Sequence, residues 1–472
     1  MIRERRYPLE PTAEEMREML EQVSERIVAH IDSLENQPAS YDSDGRLVAK
    51  SFVEPVPTSS SNFETLLDRL FDDATPHSYN TAGPGYLAYI PGGGIFPSAI
   101  ADLIANAINR YVGVWIAAPA LVQLELNVIR WFCEIVGYGS GSGGVLTSGG
   151  SLSNLTAIVS ARRERLGDDL KNGVIYTSDQ THHSVRKSAV VAGFPESAVR
   201  HIETDELQQI RLDQLSGEIQ TDLAAGRVPF LIVGSAGTTN TGAVDDLEGL
   251  ANLAEKEGLW FHVDAAYGGF FTLTERGRRA MAGLERADSI TLDPHKGLFL
   301  PYGTGALLVK DEGALRRAHA TFADYMPVMQ HDPDFVDFCD LSAELSRDFR
   351  GLRIWLPMKL FGLEAFSEAL EEKLELADWI TNQLRQIPEV EIVTEPRLSL
   401  VSFRLRDDPD GEATQRLMKA INAQKNVYLT GTLVNGRFAI RICVLSFRTH
   451  RDRMELCAGD IRDAVFEVTT PR

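Results

Sequence analysis

The chain has 472 residues, 44% hydrophobic and 24% charged, enough for two or three domains around a large core. Its 67 acidic residues against 47 basic ones leave a formal charge of −20, which argues against nucleic acid or an anionic membrane as a partner. The opening MIRERRYPLEPT lacks the apolar stretch of a signal peptide and no run approaches membrane-spanning length, so a cytoplasmic location is expected.

Thr12 followed by Glu15 has the pattern of a capping box, and Met16, Leu20, Val23, Ile27 and Ile31 then recur near helical spacing. A helix with one apolar stripe needs a partner surface. A second helical segment, Asn62 to Phe71, opens with another cap signal and carries Leu66, Leu67, Leu70 and Phe71. Residues 83–97, GPGYLAYIPGGGIFP, hold too much Gly and Pro for regular structure. Helical patterns run from Ser98 to Asn109 and from Pro119 to Val136; Trp115 between them reads equally as core or as pocket wall.

Val145-Leu-Thr-Ser-Gly-Gly-Ser-Leu-Ser-Asn154 reads as a strand, a glycine turn and a helix start. Backbone N–H groups at a helix N-terminus suit a phosphate. Gly149 and Gly150 allow close approach, and Ser151 and Leu152 offer the N–H groups, although many ordinary turns share this pattern. Val174 to Tyr176 is a short apolar strand before SDQTHHSV, and Pro229 to Ser235 is another before AGTTNTG. Asp245 and Asp246 read as the start of the next helix. Leu259 to Val263 forms a strand that delivers Asp264, with Ala265 and Ala266 small enough for a flat ring to approach. Ser289 to Leu292 runs into Asp293-Pro-His-Lys-Gly.

Open α/β sheets bind ligands at the carboxyl ends of their strands, so Asp264 and Lys296 are expected to face one crevice. A lysine amine can form a Schiff base with an aldehyde, and a buried acid can keep a pyridine nitrogen protonated, which points to pyridoxal 5'-phosphate (PLP). The plainer alternative is a surface lysine and a helix-capping aspartate.

The remainder reads as a small α+β unit. A helical pattern from Gly351, interrupted by Pro357 and Gly362, reaches Ile387. Strand-like runs follow at Val390–Val393 and Leu398–Leu405, then a helix from Ala413 to Gln424. Two strands joined at Asn435-Gly436 read as a hairpin, and a last helix covers Arg451 to Val468. Cys133, Cys339, Cys443 and Cys457 show neither a paired framework nor metal-ligand spacing; they read as core residues, and no metal site is expected.

VDAAYGG, DPHKG, SDQTHHSV and the GTT turn together resemble the group II PLP-dependent amino-acid decarboxylases. That family includes aromatic amino-acid, glutamate, histidine and 2,4-diaminobutyrate decarboxylases. The resemblance runs from about Ser60 to about Thr449. It implies an α/β fold of the PLP-dependent transferase type (fold type I): an N-terminal helical dimerisation arm over residues 1–75, a large PLP-binding domain with a mostly parallel sheet over 76–350, and a small C-terminal α+β domain over 351–472. The arm packs across a partner subunit in the family, so a homodimer is expected.

The resemblance also implies roles. Lys296 carries the Schiff base, Asp264 holds the proton at the ring nitrogen, and His182 stacks on the ring. The alternative for His182 is a helix cap, the reading favoured for His183. Gly150, Ser151 and Leu152 hold the phosphate, His295 touches the phosphate or a loop, Thr239 lies near the ring substituents, and Ala266 and Asp293 complete the cofactor contacts. Tyr89, Ile90, Pro91 and Trp115 fall on the substrate side, with Arg448 at its edge or an ordinary surface arginine. Many aromatic-specific relatives carry an aromatic residue where Ile90 stands, which argues against a bulky aromatic substrate.

In the family a loop tyrosine protonates the decarboxylated intermediate. Counted without gaps from LRIW, Phe338 takes that place; a gap would bring in Tyr325 instead. Relatives with phenylalanine there divert the reaction toward oxygen and release an aldehyde. The expected activity is decarboxylation of an L-amino acid to the amine and CO2, with aldehyde formation as the alternative. A PLP-dependent carbon–carbon lyase ranks lower, because its lysine context differs from DPHKG. A non-enzymatic relative is disfavoured by the intact Asp264, His182 and Lys296.

Overall fold

The computed structural model describes residue 7 and residues 9–41, 44–320 and 335–470. Its centre is a seven-stranded sheet built from β1 (Gly143–Thr147), β2 (Gly173–Ser178), β3 (Val199–Ile202), β4 (Val228–Ser235), β5 (Trp260–Asp264), β6 (Ser289–Leu292) and β7 (Gly305–Val309). The spatial order is β1-β7-β6-β5-β4-β2-β3. β7 is antiparallel to both of its neighbours, and the other adjacent pairs are parallel. β1, β2, β5, β6 and β7 are buried at every position. Helices on the faces of a parallel sheet cover both sides, so these stretches read as continuous apolar runs rather than alternating ones.

β1, β2, β4, β5 and β6 run the same way, so Thr147, Ser178, Ser235, Asp264 and Leu292 end on one edge of the sheet. The segments that follow these ends are the ones the sequence singles out for chemistry.

A second, antiparallel sheet has the order β10-β11-β9-β8, from β8 (Val390–Thr394), β9 (Leu400–Leu405), β10 (Thr430–Val434) and β11 (Arg437–Cys443). Asn435 (φ 52°) and Gly436 (φ 74°) both adopt the left-handed conformation that a two-residue hairpin requires. The helix Arg350–Arg385 leads from the first core to the second. It breaks at Gly362 (φ 73°, ψ 164°) but not at Pro357. Proline lacks the N–H that would bond the carbonyl four residues earlier. That carbonyl, on Arg353, instead accepts the Ser98 hydroxyl at 2.9 Å.

Toward the N-terminus, Thr12 and Glu15 close a reciprocal capping box ahead of the helix Ala13–Ser33: Thr12 N–H donates to Glu15 Oε2 at 2.8 Å and Glu15 N–H to Thr12 Oγ1 at 3.2 Å. No residue of this helix is buried.

The irregular segment 83–93 is held between the two sheets. Tyr428 N–H donates to Gly85 O (2.9 Å) and Cys443 N–H to Leu87 O (3.0 Å) on one side. On the other, Gly92 lies so close to the helix Pro294–Gly297 that a Cβ there would fall 1.9 Å from the His295 carbonyl. Among the described residues, no helix is long and apolar enough to cross a membrane, and no cluster of His, Cys, Asp or Glu is arranged to hold a metal.

Candidate active site

A cavity of about 300 Å³ opens at the carboxyl edge of the large sheet. One end is built by the turn after β1. Gly149 (φ 152°, ψ 170°) brings the chain into the helix Gly150–Arg165, which has no side-chain cap. The first-turn N–H groups of a helix have no carbonyl of their own helix to bond, and here those of Gly150 and Ser151 begin at the cavity wall. The Leu152 N–H already donates to the Gly149 carbonyl at 3.0 Å. His295 closes this end: its Nδ1 donates to the Thr304 carbonyl at 2.6 Å, which leaves Nε2 on the side of Asp293, 3.8 Å from Oδ2.

Asp264 is the last residue of β5 and also lines the cavity. Its Oδ1 accepts the Ala266 N–H at 3.2 Å and its Oδ2 accepts the Asn154 side-chain amide at 2.9 Å. His182 caps the helix His183–Val191, so the helix-cap reading holds, and the same ring lines the cavity. Its Nδ1 accepts the Ser184 N–H at 3.3 Å and lies 2.7 Å from Ser184 Oγ. Burial holds its pKa below the ordinary histidine value; Asp264 pulls the other way, while His183 and Lys296 add to the lowering.

Lys296 Nζ lies 2.8 Å from Asp293 Oδ2. Burial disfavours its ammonium form, but the Asp293 carboxylate, with Asp264 behind it, outweighs that and holds the pKa above the usual lysine value. Among the described residues, Asp293 Oδ1 is buried with no hydrogen-bond partner.

All ten residues expected at the cofactor line this one cavity: Gly150, Ser151, Leu152, His182, Thr239, Asp264, Ala266, Asp293, His295 and Lys296. The set fits PLP by chemistry. A helix N-terminus with two glycines would suit the phosphate, the Asp264 carboxylate a ring nitrogen and the Lys296 amine an aldehyde, and the orphaned Asp293 oxygen leaves an acceptor on a residue of the same lining.

None of the six residues expected at the substrate lines the cavity. Tyr89 is exposed with φ 51°, while Ile90 and Pro91 are buried. Arg448 donates to the carbonyls of Ala82 (3.0 Å) and Gly93 (2.6 Å), which makes it a clamp on the 83–93 segment rather than a surface arginine. Trp115 stacks on Phe335 at 3.8 Å.

Phe338 is fully buried in the main core, its ring 4.8 Å from the Arg347 guanidinium, and does not line the cavity. Two bonds hold it there. Trp115 N–H donates to Asp337 Oδ1 at 2.6 Å, and Cys339 N–H donates to Gly113 O at 3.0 Å. Tyr325 lies outside the described residues.

Asn154, Ser184, Ser235, Gly237, Thr238 and Tyr267 also line the cavity and escaped the sequence reading. Asn154 carried a usable signal: it sits one helical turn after Gly150, on the same face. Arg441 escaped as well. Buried in β11, it donates to the carbonyls of Tyr89 (3.3 Å), Asn240 (3.0 Å) and Thr239, tying the 83–93 segment to the GTT turn.

Comparison with known proteins agrees with this geometry. The chain is 34% identical over 453 residues to an aromatic-L-amino-acid decarboxylase of Bacillus atrophaeus, covering 94% of each chain. Its fold superposes with a TM-score of 0.92 on the Oryza sativa protein TDC solved with PLP and tryptamine (26% identity, 99% of this chain, 100% of that one). It superposes with a TM-score of 0.91 on the Catharanthus roseus tryptophan decarboxylase in complex with L-tryptophan (28% identity, 98% and 100%). The profile of the pyridoxal-dependent decarboxylase conserved domain matches residues 55–406, and the chain belongs to that family.

Proposed function

We propose that Lys296, Asp264 and His182 perform the reaction of this PLP-dependent amino-acid decarboxylase, a carboxy-lyase, and that the substrate is an L-amino acid with an aromatic side chain. The convergence of these three side chains on one cavity, with an uncapped helix N-terminus at its wall, carries the assignment of roles. The aromatic substrate class is supported by the relatives named above, against the expectation drawn from Ile90, which is buried and does not line the cavity.

When bound, PLP delocalises the electron pair left on the α-carbon as CO2 departs. The chain's own groups do the rest. Gly150 and Ser151 N–H groups, with His295, would hold the phosphate. Asp264 would keep the ring nitrogen protonated, because an opposite charge in a dry site favours the protonated ring. His182 would cover the ring face and exclude water. Lys296 Nζ, its charge balanced by the Asp293 carboxylate 2.8 Å away, would anchor the cofactor and supply a proton to the product carbon.

The aldehyde-releasing reading rested on Phe338 standing beside the substrate, and Phe338 lies in the core. The test is a substrate panel of the twenty amino acids plus 2,4-diaminobutyrate, read for both CO2 and peroxide. Aromatic substrates should give CO2 without peroxide, and Lys296→Ala should lose both turnover and the visible absorbance of the bound cofactor. A Lys296→Ala enzyme that kept that absorbance and turned over normally would refute the assignment.

The wider organisation is also part of this proposal. The chain divides into an arm (1–75), a cofactor domain (76–350) and a small domain (351–472), a division supported by the two separate sheets. Exposed Met16, Met19, Leu20 and Val28 on the arm helix support a homodimer. An unchanged dimer by light scattering after removal of residues 1–35 would count against the arm's part. The acidic balance and four free cysteines support a cytoplasmic location, which cell fractionation would check.

A further inference from the structure

At the cavity wall a single amide touches four residues on three elements. Asn154, 1% exposed, projects from the first turns of the helix Gly150–Arg165. Its Nδ2 donates to Asp264 Oδ2 (2.9 Å, from β5) and to Ser184 Oγ (3.0 Å, from the His182 helix). Its Oδ1 accepts from Thr291 Oγ1 (2.8 Å, from β6) and lies 3.0 Å from His262 Nε2 (from β5). An amide offers two donors and an acceptor with two lone pairs, and all four capacities are used.

The direction of every proton follows from one fixed point. A carboxylate only accepts, so the nitrogen of Asn154, not its oxygen, faces Asp264. The oxygen therefore receives the Thr291 hydroxyl proton and the His262 Nε2 proton. His262 is fully buried and neutral, its pKa driven down to about 4 by burial despite the pull of Asp264. With its proton on Nε2, its Nδ1 must accept from Ser289 Oγ at 2.8 Å, which in turn accepts the Trp260 indole N–H at 2.8 Å.

On the other branch, Ser184 Oγ takes a proton from Asn154 and so turns its own toward His182 Nδ1, 2.7 Å away. The Ser184 N–H points at the same nitrogen. The His182 ring proton is left on Nε2. From Trp260 through Ser289, His262 and Asn154, each donor points onward to Asp264 and, through Ser184, to His182. Aligned hydrogen bonds of this kind polarise one another in a low-dielectric interior.

We propose that Asn154 is a positioning residue that orients the Asp264 carboxylate and at the same time turns the Ser184 hydroxyl proton toward His182 Nδ1. Apart from Asn154, the Asp264 carboxylate receives only the Ala266 N–H at 3.2 Å, from two residues along its own chain, so the amide is its one anchor to another element among the described residues. The inference rests on the reading that Asp264 meets the ring nitrogen and His182 the ring face.

Asn154→Asp and Asn154→Ser separate this role from a merely structural one. The aspartate keeps the shape but replaces the two amide protons by at most one, shared with the Asp264 carboxylate. Its other oxygen draws the Ser184 hydroxyl proton to itself, so His182 Nδ1 loses the hydroxyl hydrogen bond and keeps only the Ser184 backbone N–H. In histidine-15N-labelled enzyme, the His182 ring should report Nε2–H in parent and variant, with the Nδ1 resonance shifted in Asn154→Asp by loss of the Ser184 hydroxyl hydrogen bond. PLP titration of either variant, followed by protein fluorescence, should show affinity weakened roughly 10- to 100-fold, the loss of one charge-assisted hydrogen bond.

Asn154→Ser carries no new charge and decides the matter if the aspartate variant does not fold. Parent-like PLP affinity in Asn154→Ser overturns the proposal. So does a fall in melting temperature with unmoved His182 ring shifts and unmoved affinity. Asp264→Asn, measured in parallel, keeps the two levels apart. If it binds PLP and turns over like the parent, the underlying reading of the site fails. If it is crippled while Asn154→Ser is not, only the role of Asn154 fails.

Discussion

Adjacent glycines at the cavity wall should fail in different ways when given the same methyl group. Gly149 sits at φ 152°, ψ 170°, where essentially only glycine is found. A Cβ built there meets nothing closer than His295 Cε1 at 3.8 Å, an ordinary contact. The cost of Gly149→Ala is therefore backbone strain, about 1–3 kcal/mol. Gly150 has no such strain and stands at a helical position, where alanine is preferred to glycine by about 0.5–1 kcal/mol. Its Cβ would instead lie 3.1 Å from Asp293 Oδ2 and 3.3 Å from Ala266 Cβ. The Asp293 carboxylate cannot yield alone, because Lys296 Nζ is held to it at 2.8 Å. Gly150→Ala should thus leave stability nearly unchanged and weaken PLP roughly tenfold, equivalent to about 1.4 kcal/mol. Urea unfolding of the cofactor-free protein at fixed concentration gives the first quantity, and fluorescence titration with PLP gives the second. Parent-like PLP affinity in Gly150→Ala, or parent-like stability in Gly149→Ala, would refute the reasoning.

Two further predictions rest on buried groups. Phe338→Tyr should not change the ratio of amine to aldehyde, and should destabilise the protein by about 1–3 kcal/mol by placing a hydroxyl in the core; altered peroxide yield under air would show that this ring reaches the substrate after all. His262 has a folded pKa of about 4 against the ordinary 6.5, so the unfolded chain binds the extra proton first. The stability it permits is present above pH 6.5 and is lost as pH falls toward about 4, by roughly 3 kcal/mol. Denaturation of the parent and of His262→Gln across that window should show their difference shrinking with falling pH, and a constant difference would disprove it.

The sequence alone was sufficient for whatever is local to a strand end. Asp264 ends a strand, Lys296, His182, Thr239 and the Gly149-Gly150 turn lie within four residues after one, and the strands run the same way. Their arrival at one cavity therefore follows from topology that the βα alternation already implies. Pro357 marks where such reasoning stops. Its chemistry predicts a break, but the Ser98 hydroxyl, from a helix some 250 residues away in the chain, satisfies the freed carbonyl and the helix continues.

Phe338 and Arg448 mark the same limit from the functional side. Counting from LRIW places Phe338 by residue number, whereas hydrogen bonds of its neighbours, Cys339 N–H to the Gly113 carbonyl and Asp337 from the Trp115 N–H, decide where its ring packs. Arg448 has no local pattern that distinguishes a solvated arginine from a clamp on two carbonyls of a distant loop. Asn154 lay inside a stretch already recognised, yet its hold on Asp264 spans 110 positions and exists only because β1 and β5 end on the same edge of the sheet. Covalent neighbours and strand direction are written in the order of residues. Which side chains satisfy one another's buried donors and acceptors is set by three-dimensional packing, and in this protein that decides how the cavity's chemistry is held in place.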